Sequence, residues 1–151
     1  MNALLRPGER LDDLQNGYQL IQRPNMFCLG TDSVLLTDFA APRAGEVCVD
    51  LGCGNGAIAL LLAARRADAH IDGVELQMQA ADMAARSVQL NRLEARVRIF
   101  QGDMRDSAAL LGHGGYSLAV CNPPYGARGA AIPSAGEAER IARHEGELTV
   151  Q

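Results

Sequence analysis

The sequence lacks any long apolar stretch. Among its 151 residues there is no run of about 18 apolar residues, the length that a membrane-spanning helix requires. The first residues also lack the pattern of a secretory signal peptide. With 48% apolar and 21% charged residues, the composition is that of one soluble globular domain. We therefore expect a cytoplasmic location and no membrane association.

Cysteine is scarce and is not spaced for a metal. The four cysteines, Cys28, Cys48, Cys53 and Cys121, form no C-x-x-C pair, which is the usual signature of a zinc or redox site. Two of them lie in or beside predicted strands. The sequence therefore favours reduced thiols, as in a cytosolic protein, over disulfides or a bound metal.

Positive charge is not in excess. The formal net charge is −4 at pH 7, so the surface has no general basic field of the kind that attracts nucleic acid. Any RNA contact must therefore be local. Arg128, Arg140 and Arg143 form the candidate patch.

Three glycines within five residues mark the clearest candidate site. Gly52, Gly54 and Gly56 follow the apolar run 46–49 and precede the apolar segment 57–64. This succession predicts a strand, a turn and a helix. Glycines allow positive φ and let a ligand lie against the backbone, while the helix start offers unpaired N–H groups. We therefore expect a ligand at this turn.

Asp50 indicates which ligand the turn favours. The glycines also fit the loose dinucleotide pattern G-x-G-x-x-G/A, but a carboxylate at the strand end would repel a pyrophosphate. A cation is favoured instead, and S-adenosylmethionine carries an ammonium and a sulfonium group. The run D-L-G-C-G-N-G resembles the first motif of the class I methyltransferases, which use this cofactor. The resemblance implies that the whole turn binds it: Asp50, Gly52, Cys53, Gly54, Asn55 and Gly56.

The first 44 residues predict a hairpin followed by a helix. Asn16-Gly17 lies between two short apolar segments, which is a strong hairpin signal. The apolar positions in 34–40 suit a helix, with Thr31 or Asp32 as its N-cap. A second interpretation places this capped turn near the methionine group of the cofactor, where Asp32 would face the ammonium.

Alternating strand and helix patterns after the glycine turn predict a mostly parallel sheet. Glu75 ends the next predicted strand about 20 residues after the glycines, the spacing at which doubly wound folds place an acid on ribose hydroxyls. Asp103 follows a further strand, where it suits either a hydrogen bond from an adenine amino group or the N-cap of the next helix. Leu76 and Met104 complete the predicted cofactor pocket.

The last predicted strand leads into Asn122-Pro123-Pro124-Tyr125. Two prolines fix φ and remove two donors, so this turn is rigid and its carbonyl groups remain free. An exocyclic amine is a poor nucleophile, because its lone pair is delocalised. The Asn122 side-chain oxygen and the Pro123 carbonyl are predicted to accept its two hydrogens and aim the lone pair at the methyl group. Tyr125 would stack on the planar acceptor, and Asn122 is expected to border the cofactor as well.

These motifs together resemble one family. N-P-P-Y in this position is similar to the amino-methyltransferases, and the segments 27–36, Gly73–Gln77 and Ala142–Glu145 narrow the resemblance to the tRNA (adenine-N6) methyltransferases. That family modifies the adenosine beside the anticodon of a valine tRNA. The resemblance, which covers about Gly8 to Glu147, implies tRNA as partner. It also implies a Rossmann-like α/β fold, with helices on both faces of a mostly parallel sheet.

The sequence differs from the family pattern at one site position and in the number of predicted strands, and each difference has a predicted consequence. Gly126 stands where the family usually has an aromatic residue, so the wall of the substrate pocket is expected to differ. The family sheet has seven strands, whereas four central strands and one helix-like stretch near Gly136 to Leu148 are predicted here. We expect one domain over residues 1–151, with the hairpin and helix in 1–44 and an incomplete core in 45–151. The missing last strands would leave an edge that favours self-association.

Other functions fit the same motifs. One alternative is methylation of glutamine N5 in a release factor, although those enzymes carry an N-terminal helical domain that a hairpin does not supply. Guanine N2 of ribosomal RNA is another acceptor of the same chemical type. A further alternative is not an enzyme. The chain would then bind the cofactor without turnover, which is expected if the part of the fold that holds the substrate is absent.

Overall fold

The computed structural model describes residues 3–26 and 28–123. Several predicted features fall outside these residues, namely Pro124, Tyr125, the arginine patch and the stretch from Gly136 to Leu148. Within the described residues, the chain forms a two-stranded hairpin followed by a four-stranded sheet with helices.

The hairpin comprises β1, Arg10–Asp13, and β2, Gln19–Gln22, paired antiparallel. Asn16 Oδ1 accepts a hydrogen bond from the backbone N–H of Tyr18 at 3.1 Å, and Gly17 has a φ of 90°. An asparagine side chain that closes its own turn, followed by a glycine in the left-handed region, is the chemistry that such turns require. The predicted hairpin is confirmed.

Four parallel strands form the central sheet. They are β3, Val47–Leu51; β4, His70–Glu75; β5, Val97–Gln101; and β6, Leu118–Cys121. Their order is β5-β4-β3-β6, and all neighbours are parallel. The chain order therefore reverses between β3 and β6. In doubly wound sheets, ligands bind beyond the carboxyl ends of the strands at such a reversal.

Helices connect the strands. They are α1, Thr31–Ala40; α2, Ala57–Arg65; α3, Met78–Leu90; and α4, Ser107–Leu111, which follows a 3₁₀ turn, Met104–Asp106. The first three pack on the sheet face that carries Cys48, Ile71 and Val97. The right-handed crossover from β5 back to β6 carries α4 across the other face. Helices thus lie on both faces, as predicted, and none of those described is long and apolar enough to cross a membrane.

The hairpin packs on α3 through buried contacts. Leu20 and Ile21 are completely buried, and Ser87 Oγ accepts a hydrogen bond from the Ile21 backbone N–H at 3.0 Å. Arg86 of α3 donates two hydrogen bonds of 2.7 Å to Glu9, just before β1. The hairpin is therefore fixed relative to the helices that flank the sheet.

The start of α1 differs from the prediction. Gly30 is the N-cap, with φ −118° and ψ 172° and no side-chain hydrogen bond. The prediction of Thr31 or Asp32 as cap is wrong, because both lie inside the first turn. Asp32 still stabilises the helix start: its Oδ1 accepts from the Ser33 backbone N–H at 2.9 Å, and the helix dipole favours a negative charge there.

Helix α1 buries two residues with hydroxyl groups, and two of its large apolar residues are exposed. Ser33 and Thr37 are buried, and Thr37 Oγ1 donates to the Ser33 carbonyl at 2.7 Å. Leu35 and Phe39 are 61% and 91% exposed. The buried side of α1 thus carries hydroxyl groups beside Leu36 and Ala40, which pack against the core.

Candidate functional site

The glycine turn folds over the end of β4. The backbone N–H groups of Gly52 and Cys53 both donate to the Val74 carbonyl at 2.9 Å. Gly52, Gly54 and Gly56 have φ values of 75°, 56° and 85°, a region in which other residues are strained. The predicted strand, turn and helix are confirmed, and Gly56 is the N-cap of α2.

The three glycines of the turn differ in how much space surrounds them, which shows which of them serve packing and which could lie beside a ligand. A Cβ atom on Gly56 would lie 3.0 Å from the Ala84 Cβ, so this glycine lets α2 approach α3. A Cβ on Gly52 would lie 3.0 Å from the Met104 methyl group. A Cβ on Gly54 would meet no atom within 4 Å. Gly54 is therefore the position at which the backbone has open space beside it.

Asp50 is a buried carboxylate near the end of β3. Its exposed fraction is 0%, and neither oxygen makes a hydrogen bond to the described residues. Burial raises its pKa to about 7, and the negative charge of Glu75 adds to this rise. A weak hydrogen-bonding interaction with the Ala59 backbone N–H opposes the rise, but it does not meet the geometry of a full hydrogen bond. An unpaired buried carboxylate is costly, and such a group is neutralised by a proton or a nearby cation. Asp50 therefore favours a cationic ligand at this end of the sheet.

Glu75 supplies a second acid at the same edge of the sheet. Its Oε2 accepts from the Gly54 backbone N–H at 2.8 Å and its Oε1 accepts from the Gln77 backbone N–H at 2.7 Å. Burial raises the pKa of Glu75, and these two N–H groups oppose the rise. Each carboxylate oxygen can accept a further hydrogen bond. Glu75 therefore retains the capacity to bind hydroxyl groups, as predicted for a ribose.

Cys53 and Asn55 point into the protein rather than across the open side of the turn. A Cβ on Gly73 would lie 2.8 Å from Cys53 Sγ, so the thiol fills the space that a side chain in β4 would take. Burial raises the pKa of this thiol well above its usual range. Asn55 Nδ2 donates to Gln22 Oε1 at 3.1 Å. Both side chains thus hold the turn in place.

Asp103 caps the 3₁₀ turn after β5. Its Oδ1 accepts from the Arg105 backbone N–H at 2.9 Å, and the Arg105 guanidinium pairs with the same carboxylate. The arginine holds the pKa of Asp103 below its usual range. The cap interpretation is confirmed, and an adenine amino group would have to share this carboxylate with Arg105. Leu76, 37% exposed, lies at the end of the neighbouring strand.

Asn122 follows β6 directly and meets the start of α1. Its Nδ2 donates to Asp32 Oδ2 at 3.2 Å and to Ser33 Oγ at 3.4 Å. Asp32 lies 90 positions earlier in the chain, so the fold joins two predicted site residues across a long separation. Thr31 and Pro123 are exposed. The structure therefore brings α1, β3 and β6 together at the strand-order reversal.

Comparison with known proteins identifies the family. Residues 17–150 match the methyltransferase small domain. The chain belongs to the methyltransferase small domain family. Among curated members, the tRNA1(Val) (adenine(37)-N6)-methyltransferase of Tolumonas auensis is 37% identical over 121 residues, and that of Yersinia pestis strain Pestoides F is 41% identical over 122 residues. Each alignment covers 80% of this chain and 48% of the relative, so the chain spans about half the length of these relatives.

Solved structures support the same fold. TYW2 of P. horikoshii superposes with a TM-score of 0.56 at 20% identity, over 67% of this chain and 38% of that one. An RNA methyltransferase of Salinibacter ruber, crystallised with S-adenosyl-L-homocysteine, gives a TM-score of 0.55 at 18% identity, over 66% and 62% of the two chains. At these identities the likeness concerns the fold alone, and the Rossmann-like methyltransferase fold predicted from sequence is confirmed.

Two buried polar residues near the site of this methyltransferase small domain were not predicted from the sequence. Ser33, which binds Asn122, is one of them. The other is Gln22 of β2, 2% exposed, which accepts from the Leu29 backbone N–H at 2.7 Å as well as from Asn55. Gln22 ends the strand Gln-Leu-Ile-Gln, which also begins with a glutamine, so the local sequence does not show that Gln22 is the buried one.

Proposed function

We propose that this methyltransferase small domain transfers a methyl group to an exocyclic amino nitrogen, and that the acceptor is adenine N6 in tRNA. The observation that carries the proposal is the position of Asn122, at the strand-order reversal with its amide nitrogen bound to Asp32 and Ser33. Its amide oxygen has no hydrogen-bond partner among residues 3–26 and 28–123, and we assign it to the amine hydrogens of the acceptor. Relatives of 37–41% identity that are named for adenine-N6 methylation of tRNA support this choice of acceptor.

We infer that the cofactor is S-adenosylmethionine, which supplies a methyl group on a positively charged sulfur. The residues present fit such a ligand. Asp50 offers a buried carboxyl group whose oxygens lack hydrogen-bond partners among the described residues, and a cation beside it would favour its ionised form. Gly54 has open space beside its backbone, and Glu75 can accept hydrogen bonds from a ribose. A dinucleotide fits less well, because its pyrophosphate would meet two acids at the same sheet edge.

The remaining predicted cofactor residues divide by location. Leu76, Asp103 and Met104 end or follow β4 and β5, so we assign them to the adenine side. Thr31 begins α1 beside Asn122, so we assign it to the methionine side, next to the acceptor. Asp32, which the sequence also predicted for that side, binds the Asn122 amide, so we do not assign it to the cofactor. Cys53, Asn55, Gly52 and Gly56 would contribute through the backbone of the turn.

The chain's own residues would activate the acceptor. Asn122 Oδ1 and the Pro123 carbonyl accept the two amine hydrogens and direct the nitrogen lone pair toward the methyl group. As the new N–C bond replaces the S–C bond, whose electron pair would return to the cofactor sulfur, the positive charge would pass to the nitrogen. The same two oxygens would stabilise that charge until a proton leaves for solvent. Pro124 would keep this turn rigid, and Tyr125 would stack on the base.

The experiment is methyl transfer by the longest reading frame that contains this sequence, with mass spectrometry of the products. Unmodified tRNA, small-subunit ribosomal RNA and release factor are offered with labelled cofactor. We expect N6-methyladenosine in tRNA alone. Asn122→Ala should reduce it to a small but measurable residual rate while cofactor affinity changes by less than about threefold, the signature of an interaction made in the transition state. Methylated guanine or glutamine would identify another acceptor, and cofactor binding without any product would favour the binding-module alternative.

A tRNA partner also requires a contact surface and a location. The net charge of −4 makes a general electrostatic attraction weak, so we assign the phosphate contacts to Arg128, Arg140 and Arg143. We infer a cytoplasmic location from the same substrate. Self-association stays a proposal: β6 is an edge strand of the described sheet, and sedimentation of the chain would show whether that edge pairs with a second copy.

A further inference from the structure

We propose that Asp32 and Ser33 are positioning residues that set the orientation of the Asn122 amide, so that its oxygen rather than its nitrogen faces the acceptor amine. This inference rests on the proposed amino-methyl transfer and adds to it a means of orientation supplied by α1. It also replaces the interpretation in which Asp32 faces the ammonium group of the cofactor.

The chemistry of the partners decides which way the amide faces. An ionised carboxylate only accepts hydrogen bonds, so the atom 3.2 Å from Asp32 Oδ2 is the amide nitrogen of Asn122. Ser33 Oγ, at 3.4 Å from the same nitrogen, is placed to accept the second hydrogen. Both N–H groups are then directed to α1, and the amide oxygen lies on the opposite side of the group. An acceptor amine that approaches from that side meets an acceptor atom.

Asp32 is itself held for this role. Its Oδ1 accepts from the Ser33 backbone N–H at 2.9 Å, which turns the carboxylate back over the start of the helix. A Cβ atom on Gly30 would lie 2.6 Å from that oxygen. The φ of Gly30 is −118°, so the backbone conformation does not require glycine there, but a methyl group at this position would displace the Asp32 carboxylate. Gly30, Asp32 and Ser33 therefore act together on Asn122.

The reversed amide would oppose catalysis. With its NH₂ group toward the acceptor, Asn122 would present donors to the donors of the amine, and neither amine hydrogen would be accepted. Loss of Asp32 should therefore lower turnover, because the amide is free to rotate, while the cofactor pocket at β3 and β4 is unchanged. Loss of a charge-assisted hydrogen bond corresponds to roughly 10- to 150-fold, and we expect kcat to fall within that range.

The test is a double-mutant cycle with Asp32→Ala and Asn122→Ala, measured as kcat and as cofactor Kd. We expect Asp32→Ala to lower kcat with Kd within about threefold, and to have no further effect in the Asn122→Ala background. Asp32→Asn should keep most of the activity, because its side-chain oxygen can still accept. Gly30→Ala should reproduce part of the loss without removing a polar group. Asp38→Ala, an acid on the same helix paired with Arg65, is the matched control and should change neither constant.

A nuclear magnetic resonance measurement tests the contact without turnover. The Asn122 side-chain N–H signals, identified by their loss in Asn122→Ala, should shift in Asp32→Ala and return toward their positions in Asp32→Asn. Unchanged signals in Asp32→Ala would overturn the proposal, as would an equal loss of cofactor affinity in both backgrounds. Normal turnover by Asn122→Ala would instead refute the proposed function, while the shifts would still report on the contact.

Discussion

Gln22 of the hairpin and Asn55 of the glycine turn are joined side chain to side chain at 3.1 Å, with the asparagine nitrogen donating. The same glutamine oxygen accepts from the Leu29 backbone N–H at 2.7 Å, and the glutamine nitrogen donates to Asp12. One buried side chain thus connects β1, the segment before α1 and the turn proposed to bind the cofactor. The hairpin is therefore a support for the site.

Gln22→Ala should destabilise the protein and weaken cofactor binding. It leaves the Leu29 N–H and the Asn55 amide without their partner, and an unsatisfied buried group costs about 1–3 kcal/mol. We expect the free energy of unfolding to fall by that amount and cofactor affinity to drop several-fold, because the turn is less well held. Gln89→Ala, on an exposed position of α3, should change stability by less than about 0.5 kcal/mol. Equal effects of the two variants in denaturant titrations would contradict this role.

Asp50 should make the unbound protein less stable as the pH rises. Its pKa of about 7 lies above the ordinary value of 3.8, so the folded state binds this proton more tightly than the unfolded chain. The contribution of Asp50 to the free energy of unfolding is therefore highest below about pH 4 and falls until about pH 7. Asp50→Asn does not titrate, and it should gain stability relative to wild type across this window, on the order of a few kcal/mol.

Denaturant titrations of both proteins at several pH values measure that difference. The comparison with Asp50→Asn cancels carboxyl groups distant from Asp50, such as Glu9, whose pKa is lowered by Arg86. Glu75 is coupled to Asp50 by charge repulsion, so the measured difference belongs to the pair of acids. A stability difference that is constant from pH 4 to pH 7 would show that Asp50 keeps an ordinary pKa in the folded protein.

Gly56→Ala should lower the free energy of unfolding by more than backbone strain alone would. Gly56 and Gly112 have φ values of 85° and 82°, so alanine is strained at both, by about 1–2 kcal/mol. At Gly56 the new methyl group would also lie 3.0 Å from the Ala84 Cβ, whereas at Gly112 it meets nothing within 4 Å. Overpacking adds about 1–3 kcal/mol. Chemical denaturation should show the larger loss for Gly56→Ala, and equal losses would mean that α2 and α3 separate freely.

Local patterns were sufficient to predict much of the fold. Asn16-Gly17 specified the hairpin, because the turn chemistry and the flanking apolar residues are adjacent in sequence. The glycine turn was also predictable, because the signals for β3, the turn and α2 are adjacent in the sequence. The alternation of strands and helices then limited the topology, because parallel strands require right-handed crossovers.

Contacts between residues far apart in the chain could not be predicted from the sequence. The pairing of Asp32 with Asn122 depends on α1 and β6 meeting at the sheet end, which no local pattern encodes. The cap of α1 was misassigned because Asp32 favours a cap by composition, whereas here its carboxylate binds Asn122 and leaves Gly30 as the cap. The apolar residues of α1 predicted a helix, but their exposed positions, such as Phe39, could not be read from them.

Calorimetric titration of the 151-residue chain will show whether S-adenosylmethionine binds beside Asp50 and Glu75, at the ends of β3 and β4. We predict clear binding of this cofactor and of its demethylated product, and none of NAD. Asp50→Ala should weaken binding by roughly 10- to 150-fold, the effect of losing one charge-assisted contact, whereas Glu94→Ala, at an exposed position, should bind as wild type. Binding of NAD with no heat from S-adenosylmethionine would contradict the account.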